Sequence, residues 1–117
     1  MSDKHLPLTE AAFEILLALS GGDRHGYAIL HAIADRTAGR VKLHPGTLYR
    51  ALSRMLEHGW LEELEETPGD QRDDERRRYY RVTKVGREVA RAEAHRLASQ
   101  VQAARAHLLV GDLEAPQ

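Results

Sequence analysis

From Leu43 to Trp60 the chain reads LHPGTLYRALSRMLEHGW, and how this stretch folds decides the rest. Pro45 has no N–H to leave unpaired and a φ already near the helical value, so it suits a first helical position. His44 then stands as the cap, in place of the more favoured Ser, Thr, Asp or Asn. Leu48, Ala51, Leu52, Met55 and Leu56 recur at helical spacing and define one apolar face. Thr47, Arg50, Ser53, Arg54 and Glu57 fall mostly on the opposite side. Gly59 is placed to close the helix in a left-handed conformation. A short helix with one buried face and an outward half carrying Thr, Tyr and Arg has the form of a DNA-reading helix.

Upstream, residues Met1 to Pro7 read as a loose arm. Thr9 is an N-cap for a first helix, Glu10 to Leu19, with Glu10 near its positive end. Phe13, Leu16 and Leu17 share a stripe flanked by Ala12, Ile15 and Leu19, so this helix needs partners on two sides. Gly21 and Gly22 end it. A second helix runs from about Gly26 to Thr37, with Tyr27, Leu30 and Ala34 on one line and Ile29 and Ile33 adjacent, which marks its inward face. Two short amphipathic helices in series, the later one starting at a Pro-Gly step, form a helix-turn-helix pattern.

Downstream of Gly59, WLEELEE accepts either helix or strand. A strand is the better assignment, because Gly59 has just stopped a helix and the later run Arg78-Tyr79-Tyr80-Arg81-Val82 needs a pairing partner. The segment TPGDQRDDER between them makes a long hairpin tip. Thr83 caps a last helix from Lys84 to about Val110, where Gly111 ends it; at 1.5 Å per residue it spans roughly 40 Å. In it Ala90, Ala94, Leu97, Val101, Ala104 and Leu108 follow a four-three spacing, the seam of a partner contact. The other use of that face is packing on the first helix, and one long helix has room for both. These elements define a mainly α fold with a small β-hairpin. A winged helix-turn-helix occupies residues 1–83, a long dimerisation helix residues 84–110 and a flexible tail residues 111–117.

The chain has no cysteine, which excludes disulfides, thiolate metal sites and cysteine nucleophiles and fits a reducing cytoplasm. The one apolar run near the N-terminus, Ile15 to Leu19, is too short for a secretory signal, and no segment approaches membrane-spanning length. Net charge is −1, but the charges are segregated. Six basic residues stand against Asp35 alone between Arg24 and Arg54, and eight acidic residues against Arg72 alone between Trp60 and Glu75. Arg76, Arg77, Arg78 and Arg81 then restore the positive sign. A basic helix-turn-helix is what a phosphate-facing surface requires, although a charged run also serves simply as a solvated face.

The segments HGYAILHAI (residues 25–33), PGTLYRALSRMLEHGWLE (45–62) and RRRYYRVTKVGRE (76–88) resemble the signature segments of the PadR family of bacterial transcriptional regulators. The resemblance runs from about Leu8 to the middle of the last helix. It implies a winged helix-turn-helix that dimerises through the first and last helices and represses from palindromic double-stranded DNA. It also implies release by a small molecule, often phenolic or drug-like. Two features depart from the pattern. The hairpin tip is acidic (Asp70, Asp73, Asp74, Glu75), and the last helix lacks the tryptophan from which some compact members build an aromatic pore.

By resemblance, Thr47, Tyr49 and Arg50 enter the major groove, with Arg54 one turn further along. Chemistry agrees: Arg50 suits a bidentate contact to guanine and Thr47 a thymine methyl. The amides beside His44, Gly46 and Thr47 suit a phosphate at a helix N-terminus, as do His25 and Tyr27 at the start of the second helix. Each has a plainer role. Tyr49 also suits packing on the second helix, and His25 suits capping it. Arg76, Arg77 and Arg78 suit phosphate or the minor groove, but Glu62, Glu63, Glu65 and Glu66 on the facing strand offer them ion pairs. Arg81 reads as structural and Trp60 as core.

Seven histidines do not make a metal site, because none pair at helical ligand spacing and no cysteine completes a set. His5, His95 and His107 read as surface residues. No phosphate loop or nucleophile elbow points to an enzyme, and no cofactor is implied. The alternative to a DNA-binding regulator is a winged-helix module that binds a protein, or senses a ligand, without touching DNA.

Overall fold

The computed structural model describes residues 5–64 and 78–108. The expected hairpin tip with Arg76 and Arg77, residues 1–4, and residues 109–117, on which the expected helix end at Val110 and the tail fall, lie outside the described residues. In chain order the elements are α1 (Glu10–Ser20), β1 (Arg24–His25), α2 (Gly26–Arg36), α3 (Pro45–Glu57), β2 (Leu61–Leu64), β3 (Tyr79–Val82) and α4 (Lys84–His107).

Each helix begins on a side chain that accepts an otherwise orphaned amide. Thr9 accepts from Ala12 N at 3.1 Å, and Thr83 accepts from Gly86 N at 3.0 Å. The imidazoles of His25 and His44 accept from Ala28 N and Gly46 N at 3.3 and 3.1 Å. The α2–α3 turn is held by the buried Thr37, whose hydroxyl donates to the Ile33 carbonyl and accepts from Val41 N. Ala38 and Gly39 then take left-handed φ of 55° and 79°, which ends α2. At the far end of α3, Gly59 has φ 78°. Its amide donates to the Leu56 carbonyl and that of Trp60 to the Met55 carbonyl, both at 3.0 Å. That pair of bonds is a Schellman closure, which fixes the direction in which the chain enters β2.

Ile15, Leu16, Leu19, Ile29, Ile33, Leu48, Leu52, Met55 and Val89 are essentially sealed from solvent and form the centre of one core. Its wall is completed by Trp60, Leu61, Tyr80 and Val82. Burying one such aliphatic side chain contributes about 1.5–3 kcal/mol, so this cluster supplies most of the drive for folding.

The fold class is mainly helical with a small sheet, but the sheet has three strands, not two. Its order is β1-β3-β2, with Arg24 opposite Tyr80, His25 opposite Tyr79, and Leu61 opposite Val82, all antiparallel. The extra strand ties the start of α2 to the wing. Three further expectations are corrected. Tyr27 is not on the inward line of α2: it is 61% exposed, whereas Ile29 and Ile33 are buried. Thr37 is the C-cap of α2, whose last helical residue is Arg36. His5 is no plain surface residue either, since its ring meets His58 and Trp60.

The first turns of α4 belong to the same core, with Gly86, Val89 and Glu93 buried and Ala90 packed against it. Along the seam, Leu97 and Ala104 are half-buried, while Ala94, Val101 and Leu108 are exposed. Glu93, 2% exposed, receives Arg96 through two hydrogen bonds of 2.7 and 2.9 Å and accepts the Leu8 amide at 3.3 Å. Its carboxyl is held below the ordinary glutamate range, first by the hydrogen bond from Arg96 and against the opposing effect of burial.

Candidate nucleic-acid interface

The buried stripe of α3 (Leu48, Leu52, Met55) turns its remaining side chains outward. Tyr49, Arg50, Ser53, Arg54 and Glu57 are exposed and, with Gly46, line a shallow open depression along the helix. A helix presenting two arginines, a tyrosine and a serine on one open face has the donors and acceptors that base edges and phosphates require. Ser53, which the sequence places on this face, stands with Arg50 and Arg54 as a further contact candidate.

Beside α3 lies a concavity of about 680 Å3, bounded by the start of α2, by α3 and by the wing strands. It brings together His25, Tyr27, Tyr49 and Arg78, four candidates from three separate stretches of sequence. Gly26 explains the closeness of α2 and α3, because a Cβ there would overlap the Tyr49 hydroxyl. Tyr49 lies over the second helix while keeping 45% of its surface exposed. Leu52, Leu56 and Tyr80 line the same concavity. Burial, and secondarily Glu63, pushes the Tyr80 hydroxyl above its ordinary pKa, so it stays a neutral donor.

Three candidates are already engaged. The Gly46 amide donates to His44, so a phosphate at this helix start has to compete with the cap. His25 caps α2. Arg78 donates to Glu63 at 2.5 Å, although its side chain remains 62% exposed. Of the two uses foreseen for the wing arginines, cross-strand pairing is realised at Arg78. Arg81 pairs with Asp23 at 3.0 Å and stands 3.8 Å from Glu62, which makes it structural as expected. Arg24 likewise donates to the Ala18 carbonyl at 2.9 Å and holds the α1–β1 turn. Thr47 faces away from the wing, half-buried, into a separate groove against α1 that Arg50 and Arg54 also line. Among the described residues no cluster of three His, Asp or Glu is placed to hold a metal ion, and no helix is long and apolar enough to cross a membrane.

The model of the transcriptional regulator PadR-like family matches residues 15–92, from the second half of α1 into α4. The chain belongs to the transcriptional regulator PadR-like family. Its members regulate transcription and are not enzymes. A relative in Streptomyces fradiae, an uncharacterised 37.1 kDa protein of a transposon, is 38% identical over 89 residues. That match takes in 76% of this chain, which spans only 23% of the relative's length. A PadR family transcription regulator of Clostridium difficile has the same fold, with a TM-score of 0.69 at 22% identity, over 85% of this chain and 98% of that one. The Bordetella bronchiseptica regulator BpsR, whose DNA binding is regulated by 6-hydroxynicotinic acid, superposes with a TM-score of 0.63 at 20% identity, over 92% and 74% of the two chains.

Proposed function

We propose that this PadR-like chain is a cytoplasmic homodimer that represses transcription by reading a two-fold symmetric operator, and that a small-molecule effector releases it. One observation supports the reading: Tyr49, Arg50, Ser53 and Arg54 form an exposed face on α3, and Tyr49 and Ser53 of that face also line the concavity that holds Tyr27 and Arg78. In this arrangement α3 enters the major groove and the start of α2 meets the phosphate backbone. The residues from β3 toward the wing tip, with Arg76 and Arg77, reach the flanking groove. The seam of Ala90, Ala94, Leu97, Val101, Ala104 and Leu108 joins the protomers, and residues 84–110 act as the dimerisation element. Paired recognition helices then meet half-sites about one DNA turn, ~34 Å, apart. Ligand control is supported by the regulated behaviour of BpsR, which shares the fold.

The deciding experiment is fluorescence anisotropy with the intergenic DNA beside the gene, titrated over a range of salt concentrations. A steep fall in affinity with salt, together with preference for a palindrome, is the expected outcome. Absence of any salt-sensitive DNA binding overturns it and favours the second reading, a winged-helix module for a protein partner. That second reading draws its support from Glu63, which occupies Arg78 and adds negative charge beside the interface.

A further inference from the structure

Tyr80 is 6% exposed, and its hydroxyl makes no hydrogen bond among the described residues. A buried donor without a partner is costly, and elsewhere the chain ties its hydroxyls down. Those of Ser20, Thr37 and Thr83 each donate to a main-chain carbonyl. Tyr80 lines the concavity between α2, α3 and the wing, together with the three groups whose charge acts on its hydroxyl, Glu63, Tyr49 and Arg78. Burial first, and Glu63 after it, keep that hydroxyl protonated. Glu63 stands directly opposite Tyr80 on the neighbouring strand, and such partners share one face of a sheet. Its carboxylate is already engaged, because one oxygen accepts from the Arg78 guanidinium. A buried donor therefore lies beside a carboxylate that a more exposed arginine holds.

We infer that Tyr80 is a positioning residue for DNA binding: when a phosphate takes Arg78, the Tyr80 hydroxyl donates to the Glu63 carboxylate that Arg78 leaves behind. This inference rests on the proposed contact of the wing with DNA. Without a second donor, release of Arg78 leaves Glu63 ionised and unpaired beside an incoming phosphate. Lost bond and like-charge repulsion then both oppose binding. With Tyr80 the carboxylate is held by a charge-assisted bond toward the buried end of the concavity. Only side-chain torsions change, and β2 and β3 keep their register. Two plainer roles for Tyr80 make different demands. A tyrosine that only fills the core does not need its oxygen, since phenylalanine supplies the same ring. A hydroxyl satisfied by water behaves alike with and without Arg78.

Four full-length proteins test it: the wild type, Tyr80→Phe, Arg78→Ala and the double variant, compared in two double-mutant cycles. The first cycle needs no DNA. Arg78→Ala frees Glu63 in the unbound chain, which then takes the Tyr80 hydroxyl. Tyr80→Phe is expected to leave the urea midpoint of the wild type unchanged or slightly raised, and to lower that of Arg78→Ala. Equal effects in the two backgrounds overturn the inference. The second cycle measures DNA binding by anisotropy. Tyr80→Phe is expected to weaken binding to operator and unrelated DNA alike by about fivefold, the factor that one ordinary hydrogen bond represents. In the Arg78→Ala background, where no exchange takes place on binding, it is expected to change nothing. Equal losses in both backgrounds overturn the inference. If Arg78→Ala weakens binding while Tyr80→Phe does not, the inference falls and the contact of Arg78 with DNA stands. If Arg78→Ala leaves affinity unchanged, that contact falls and the exchange on DNA falls with it.

Discussion

The main-chain carbonyl of Trp60 occupies the space that a Cβ on Gly86 would need, so the absence of a side chain at Gly86 sets how closely α4 approaches the end of α3. Thr83 reinforces the junction: its amide donates to that carbonyl at 2.9 Å, its hydroxyl donates to the Gly59 carbonyl at 2.7 Å, and the same oxygen caps α4. The helix proposed to read DNA and the helix proposed to dimerise therefore meet through backbone and one short side chain, with little slack between them.

Gly86→Ala is expected to lower stability by about 1–3 kcal/mol, the usual cost of overpacking. Its unfavoured contact is with backbone, which has no rotamer to yield. Thr83→Ala is expected to cost about 1 kcal/mol through the lost cap, while Thr83→Ser keeps most of it. Urea midpoints of the three variants measure both effects. An unchanged midpoint for Gly86→Ala would contradict the close approach.

Much of this framework was legible in the sequence because caps and closures are local. Thr9, Pro45, Gly59 and Thr83 each act on backbone within a few residues, and each does what its type and position indicate. What escaped depends on contacts distant in sequence. Arg24-His25 has no strand pattern of its own and becomes β1 only because Tyr79 and Tyr80 arrive beside it. On α2 the lines through Tyr27 and through Ile29 are both apolar, and only packing decides that Tyr27 is outside. The grouping of His25, Tyr49 and Arg78 around one concavity has no signal along the chain at all.

Glu93 is a second case, since nothing in the α4 seam marks a buried carboxylate. Its carboxyl lies below the ordinary glutamate value because Arg96 and the Leu8 amide stabilise the ionised form. The unfolded chain therefore takes up the proton first as pH falls. The stabilisation is fully present above the ordinary glutamate range and is lost as pH drops through the depressed folded value. Denaturant midpoints measured from neutral pH downward are expected to fall through this acidic window in the wild type and to fall less in Glu93→Gln. Parallel acid limbs for the two proteins would show that Glu93 carries no such linkage.

Val101 on α4 is 44% exposed, and Leu108 further along is 77% exposed. If the seam joins two protomers, Val101→Asp buries an unpaired charge at the centre of the contact, at a cost of several kcal/mol. Light scattering is expected to give a dimer for the wild type and a monomer for Val101→Asp at the same concentration. A wild-type monomer at high concentration would remove the dimeric reading.

The wing and the reading helix are expected to fail differently. Arg50 faces the open side of α3, where a bidentate contact to one base is worth about 1–3 kcal/mol of discrimination. Arg50→Ala is therefore expected to flatten the preference for one base pair per half-site while leaving much of the non-specific affinity. Arg78 is pinned by Glu63 in the free protein, so its contribution to phosphate binding is reduced by the competing carboxylate. Arg78→Ala is expected to weaken binding to all sequences alike and to reduce the salt slope by about 1 per protomer. Glu63→Gln, which releases Arg78, is expected to raise affinity without altering preference. Anisotropy titrations against the operator and single-base variants of it separate these outcomes. If Glu63→Gln leaves affinity unchanged while Arg78→Ala also has no effect, β3 does not touch DNA, and recognition rests on α3 and the start of α2.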